Sequence, residues 1–116
     1  SFEEYKDLVL VAVRGEEILG YACYSTTPNI DDFQSELVSL YIKPSEIGRG
    51  IGTSLFTETC KELKDLDKKN MIVWCLSDNK NAIKFYKGLG GKIVKTKYAK
   101  IGDRSYKEYG FYFQLK

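Results

Sequence analysis

Between residues 36 and 76 the apolar pattern changes period twice, and no other stretch restricts the fold so much. Glu36–Ile42 (ELVSLYI) reads as a strand, and Lys43 with Pro44 ends it, because proline cannot continue a central ladder. A glycine-rich turn follows. A helix is then predicted over about residues 50–69, with Ile51, Leu55, Phe56, Cys60, Leu63 and Leu66 at three- and four-residue steps along one stripe. Core packing accounts for all six. Residues 71–76 (MIVWCL) form a short, wholly apolar strand. Strand, helix, strand is the pattern of a crossover joining parallel neighbours.

The flanks extend this unit. The continuous apolar run at residues 8–13 (LVLVAV) predicts a strand buried on both faces. Arg14, Gly15, Glu16 and Glu17 form a turn, and residues 18–25 return as the antiparallel partner. Residues 26–33, with Pro28, Asn29, Asp31 and Asp32, are a surface loop. A second helix is expected over Lys80–Gly88, stopping at Gly90 and Gly91. Residues 92–99 and 104–115 read as two more strands around a turn at Ile101, Gly102 and Asp103. Tyr109, Phe111, Phe113 and Leu115 alternate along one core face. Residues 1–6 are polar and read as a helix end or a loop. The expected fold class is α/β (α+β): a mixed central sheet with an antiparallel N-terminal hairpin, a parallel pair in the middle, two helices and a C-terminal β-hairpin. No repeat or linker interrupts it, so residues 1–116 read as one domain.

Composition narrows the chemistry. Eighteen basic and sixteen acidic residues are interspersed, for a net charge of +2, which argues against a nucleic-acid partner. The one basic concentration is Lys92, Lys95, Lys97 and Lys100, and strict strand alternation predicts that it divides between two faces. No apolar run approaches the roughly 18 residues of a membrane span. The opening SFEEYKD is charged and unlike a signal peptide, and Ser1 is not a natural start. Cys23, Cys60 and Cys75 are odd in number and read as buried free thiols of a cytoplasmic protein. The chain has no histidine, which removes Ser-His-Asp, Cys-His and HExxH chemistry, and no CxxC pair, so no metal is expected. Carboxylates, tyrosine, lysine, hydroxyls and backbone groups remain.

Gly48, Arg49, Gly50, Ile51, Gly52 and Thr53 lie between the strand and the helix. Glycines let the backbone turn sharply and approach a ligand. The first helical N–H groups have no internal partner and, with the helix dipole, make an anion site worth ~0.3–1 kcal/mol per charge at an exposed end. Lys43, Arg49 and Lys80 could add charge. One reading is a tight turn without a ligand. A dinucleotide fingerprint would want glycine where Thr53 stands, and a Walker A loop would want Gly-Lys-Ser/Thr. A phosphate-bearing cofactor of another kind is the third reading.

The run from Leu40 through Gly52 (LYIKPSEIGRGIG) resembles motif A of the GNAT N-acetyltransferase superfamily, and the run from Asn79 through Gly90 (NKNAIKFYKGLG) resembles its motif B. The resemblance implies the acyl-CoA N-acyltransferase fold. It also implies acetyl-CoA as co-substrate and transfer of its acetyl group to a primary amine of a small molecule or protein. The two parallel strands would splay apart to admit the cofactor. Leu40, Tyr41 and Ile42 would contact the pantetheine and thioester, and Ile47, Gly48, Arg49, Gly50, Ile51, Gly52 and Thr53 the pyrophosphate. Asn79, Ala82 and Tyr86 would line the other side. Two departures stand out. Ile47 occupies a position where the family usually has Gln or Arg. The strand and two helices that normally precede the residue 8 strand, and that build one wall of the acceptor site, are absent, so the domain reads as N-terminally truncated. A non-catalytic module that binds CoA or a partner is the alternative that this departure favours, and an oxidoreductase binding a dinucleotide is a distant third. Family members are often dimers, so a homodimer is an open state.

Tyr86 has the role of donating a proton to the leaving thiolate by resemblance. Its ordinary pKa of ~10 against ~8.5 for a thiol agrees with that role. Packing beside Phe85 as core is the competing account. Asn79 either caps its helix or touches cofactor, or does both. Glu36 is the candidate base, at a matching distance before the motif. A carboxylate near ~4.3 and an ammonium near ~10.4 differ by about 6 units, or about 8 kcal/mol, so direct proton abstraction needs a shifted pKa or a water relay. A strand-end surface carboxylate is the other reading of Glu36.

Overall fold

A computed structural model describes residues 7–115. Strand β1 (Asp7–Arg14) turns through Gly15 and Glu16 into β2 (Glu17–Ser25), with Gly15 at φ 62°. After a loop come β3 (Glu36–Ile42), a 3₁₀ turn (Pro44–Glu46) and helix α1 (Ile51–Asp65). Strand β4 (Asn70–Leu76), helix α2 (Lys80–Gly88), β5 (Lys92–Ile101) and β6 (Arg104–Gln114) complete the order. The strands form one sheet in the order β1-β2-β3-β4-β6-β5, in which β3 and β4 are parallel and every other pair is antiparallel.

The core lies between one sheet face and the two helices. From the sheet it takes Ala22, Tyr24, Leu37, Met71, Val73, Phe111 and Phe113, and from the helices Leu55, Phe56, Leu63 and Tyr86. The alternating face expected of the last strand is present: Phe111, Phe113 and Leu115 are buried and Tyr109 packs against them. Thr59 is fully buried among the apolar residues of α1, and its hydroxyl is satisfied by donating to the Leu55 carbonyl at 2.8 Å.

Four expectations need correction. β1 is the sheet's edge and is covered on one face only: Leu10 and Ala12 pack on the core, while Val9, Val11 and Val13 are 58%, 48% and 59% exposed. An unbroken apolar run fits a doubly buried strand, but periodicity carries no information about whether a second layer exists. Helix α1 stops at Asp65, four residues early, because Asp67 adopts a left-handed φ of 65°, and Leu66 falls outside the helix and is exposed. The three cysteines are free but half-buried. Lys92, Lys95 and Lys97 do not divide between faces. A bulge at Val94 shifts the register, so that they pair with Tyr112, Gly110 and Glu108, which alternate onto a single face, while Lys100 pairs with Ser105 on the other.

Among the described residues no helix is long and apolar enough to cross a membrane, and no group of three or more Cys, Asp or Glu is placed to hold a metal ion.

Candidate active site

β3 and β4 pair only at Glu36–Ile72 and Leu37–Val73. This closed end is knitted further by Ile72 N–H to the Ser35 carbonyl at 3.0 Å and by Ser35 Oγ to the Asn70 carbonyl at 2.6 Å. Beyond Leu37 the strands part. A register shift against β2 sets in at the same level, between Cys23 and Tyr24. The direction of the freed groups follows from alternation. Lys43 N–H donates to Leu19 of β2, so Tyr41 also points its amide at β2, and Leu40 and Ile42 point theirs into the gap. On the opposite wall Ser77 N–H goes to Lys107 of β6, which aims the amides of Leu76 and Trp74 into the gap. Buried backbone donors need partners, so a gap lined this way is a place for a polar chain to bind.

The glycine turn closes the wide end. Gly48 and Gly50 have φ of 88° and 85°, a region in which a Cβ is strained. Gly52 lies inside α1, where an added Cβ would meet Phe85 at 3.5 Å and Ile42 at 3.7 Å in ordinary contact, so its role is close packing and not turn geometry. Gly50 is the N-cap of α1 and supplies no side-chain hydrogen bond. Ser54 N–H makes the first intrahelical bond, to Gly50, which leaves the amides of Ile51, Gly52 and Thr53 without helical partners. No acidic residue stands in that first turn.

Gap and turn open into one cleft of about 640 Å³. Twelve residues expected from the sequence line it: Leu40, Tyr41 and Ile42 from β3, Ile47, Gly48, Gly50, Ile51, Gly52 and Thr53 from the turn and α1, and Asn79, Ala82 and Tyr86 from α2 and its cap. Arg49 and Glu36 do not line it. Arg49 is exposed on the turn. Glu36 is half-buried at the closed end, opposite Ser25 and beside Ile72, on the sheet face away from the helices. Glu46, Asn81 and Phe85 line the cleft and were not singled out from sequence. Asn81 and Phe85 follow from their place one turn apart on α2. Glu46 had no signal, because its position depends on Arg14.

Glu46 is buried and accepts a 2.6 Å hydrogen bond from the Arg14 guanidinium. That bond holds its carboxyl below the ordinary range, against the opposing effect of desolvation. A carboxylate beside a cleft suited to anions is thereby neutralised by the β1–β2 hairpin. Lys43, expected to add charge to the turn, is instead hydrogen-bonded to Glu17. Ile47, 68% exposed at the cleft edge, has no polar group to offer an anion.

Tyr86 belongs to the core cluster and to the cleft lining at once. Its ring sits 5.3 Å from Phe85, 5.7 Å from Phe111, 6.2 Å from Phe113 and 6.3 Å from Phe56. Desolvation in this nest, with a smaller effect from Cys75, pushes its pKa up to about 12. The phenol therefore stays protonated across the physiological range and can act as a hydrogen-bond donor. Asn79 caps α2 by accepting from Ala82 N–H at 3.0 Å, and it also lines the cleft.

With this geometry in place, the similarities to known proteins are informative. The model of the Acetyltransferase (GNAT) family matches residues 1–90. The L-amino acid N-acyltransferase MnaT of Escherichia coli K12 is 26% identical over 97 residues, covering 83% of this chain and 56% of that protein. The chain thus spans just over half the length of that curated relative. A ribosomal-protein-alanine N-acetyltransferase structure from Brucella melitensis superposes with a TM-score of 0.79 at 25% identity, over 91% of this chain and 67% of that one. The protein yncA from Salmonella typhimurium, solved with acetyl-CoA, superposes with a TM-score of 0.78 at 23% identity, over 93% and 64%.

Proposed function

Because the chain belongs to the Acetyltransferase (GNAT) family, we propose that it holds acetyl-CoA in the gap between β3 and β4 and passes the acetyl group to a primary amine of a small molecule or protein by direct attack. The observation that carries this reading is the cessation of β3–β4 pairing after Leu37, at the mouth of a cleft floored by the glycine turn. Ligands of α/β sheets bind at the carboxyl ends of strands where connections diverge, and this cleft has that position.

The residues fit the cofactor. The amides of Ile51, Gly52 and Thr53 face an anion without competition from a capping side chain. Leu40 and Ile42 offer donors to an extended amide-bearing chain. When bound, acetyl-CoA supplies an activated acetyl carbon and a thiol leaving group. Fixed N–H donors in the gap stabilise an oxygen that gains negative charge, and they do so without reorganising. With a pKa near 12 against ~8.5 for a thiol, Tyr86 stabilises the departing sulfur by hydrogen bonding, since full proton transfer is uphill. Glu36 takes up the amine proton through water, from the sheet face away from the helices.

A second reading has a specific observation behind it. The outer face of β1 and β2 exposes Val9, Val11, Val13, Ile18 and Tyr21, so among the described residues nothing covers that side of the hairpin. A module that binds CoA and transfers nothing would tolerate that. Incubation with acetyl-CoA and a panel of amines, followed by thiol detection and by calorimetric titration with CoA, separates the two. Thiol release above the amine-free control supports transfer. Binding without release supports the module. Neither binding nor release defeats both.

A further inference from the structure

The sheet face away from the helices carries a basic site. The bulge at Val94 gathers Lys92, Lys95 and Lys97 on this face. Lys97 does not simply extend into solvent. Its ammonium sits over the Trp74 ring, 4.1 Å from the centroid, so the side chain reaches back across β6 to β4. Gly110 makes this possible. A Cβ there would meet the Trp74 ring at 3.0 Å and 3.1 Å, so the indole can lie over β6 only because residue 110 has no side chain. Trp74 lies in the part of β4 that no longer pairs with β3, and its backbone amide points into the gap. Its indole N–H is buried with no hydrogen-bond partner.

We propose that Lys97 and Trp74, backed by Lys95 and Lys92, form an anion subsite for the acceptor, so that the amine this chain uses also carries a carboxylate or a phosphate. This rests on the transferase reading above. The ammonium over the ring face and the partnerless indole N–H at the ring edge are two donors on the sheet face that Glu36 shares. Glu108, cross-strand from Lys97, and Glu36 are carboxylates on this face, and Asp7 takes a register position on it opposite Ser25. Lysines do guard sheet edges against aggregation, and β5 is an edge strand. Edge protection accounts for lysines and for a bulge, but not for a side chain folded across β6 onto a tryptophan.

The test compares matched acceptors with acetyl-CoA: L-amino acids against their carboxamides, and phosphoethanolamine against ethanolamine. The first pair reads carboxylate recognition and the second phosphate recognition. The anionic member of at least one pair is expected to have the higher kcat/KM, with the preference residing in KM. Lys97→Gln should cut that preference about tenfold, and Lys97→Arg should restore most of it. Lys100→Gln, on the opposite face, should leave the preference in place. Equal use of charged and neutral members, or a preference that Lys97→Gln does not change, overturns the subsite while leaving the transferase reading intact. No thiol release above the amine-free control, with these acceptors or with the wider amine panel, overturns both.

Discussion

Replacing Gly50 by alanine and by aspartate should separate the two things this residue does. Gly50 sits at φ 85° as the N-cap of α1, and nothing lies within 4 Å of an added Cβ. Alanine therefore meets no clash and bears only the left-handed backbone cost of about 1–2 kcal/mol. It adds no charge, so CoA affinity should fall by less than about threefold. Aspartate tolerates this conformation better, as Asp32 and Asp67 do at φ 73° and 65°. The aspartate variant should therefore be the more stable of the two substitutions. Its carboxylate, however, stands where the pyrophosphate is proposed to bind. Two like charges about 5 Å apart at an effective dielectric near 20 repel by about 3 kcal/mol, which corresponds to a loss of affinity of about 100-fold. Urea unfolding reads the stabilities and calorimetric titration with CoA reads the affinities. The expected result is crossed: alanine is the less stable variant and the better binder. An aspartate variant that binds CoA like the parent would refute the anion-site argument for this turn.

Tyr86→Phe should lower kcat by about 10- to 100-fold while leaving CoA affinity within about twofold, and equal losses in both would mark the ring as packing alone. Glu46→Gln should tighten CoA binding severalfold at low ionic strength, and Arg14→Gln should weaken it, because Glu46 lines the cleft and is neutralised by Arg14; calorimetry in 20 to 300 mM salt reads both, and identical responses would sink the idea. The same pair makes stability pH-dependent on the acid side. The Glu46 carboxyl is held below its ordinary 4.5, so its contribution is present above that value and is lost as pH falls through the lower folded value. On the alkaline side the signs reverse. Tyr86 is raised from 10 to about 12 and Cys60 from 9 to about 11, so the protein should lose stability progressively between about pH 9 and 12 as the unfolded chain releases protons first. For Tyr86 this amounts to about 2–3 kcal/mol, and Tyr86→Phe should flatten the upper part of that curve in denaturant titrations.

Most of the element order was legible because the periods were clear. A strand stopped by proline, a stripe at helical spacing and an apolar hexamer leave little freedom for residues 36–76. Twelve cleft-lining residues were legible for a related reason: the glycines and α2 bring their own backbone requirements with them. What the sequence concealed were the tertiary dependencies. Arg14 and Glu46 are 32 residues apart and nothing local links them. The bulge that collects Lys92, Lys95 and Lys97 arises from pairing with β6, so alternation alone misassigned them. Val9, Val11 and Val13 are exposed because no described residue covers that face, which the run LVLVAV cannot report. Glu36 shows the limit from the other direction, since its spacing to the motif suggests a place at the site while the fold puts it outside the cleft.

The central claim concerns which backbone amides are available between β3 and β4, and amide hydrogen exchange read residue by residue tests it. Tyr41 points its N–H at β2 and serves as an internal control for its neighbours Leu40 and Ile42, which point theirs into the gap. Without ligand, Leu40 and Ile42 should exchange much faster than Tyr41, and saturating CoA should slow those two selectively. Equal protection of all three without ligand, or no response of Leu40 and Ile42 to CoA, would contradict the account.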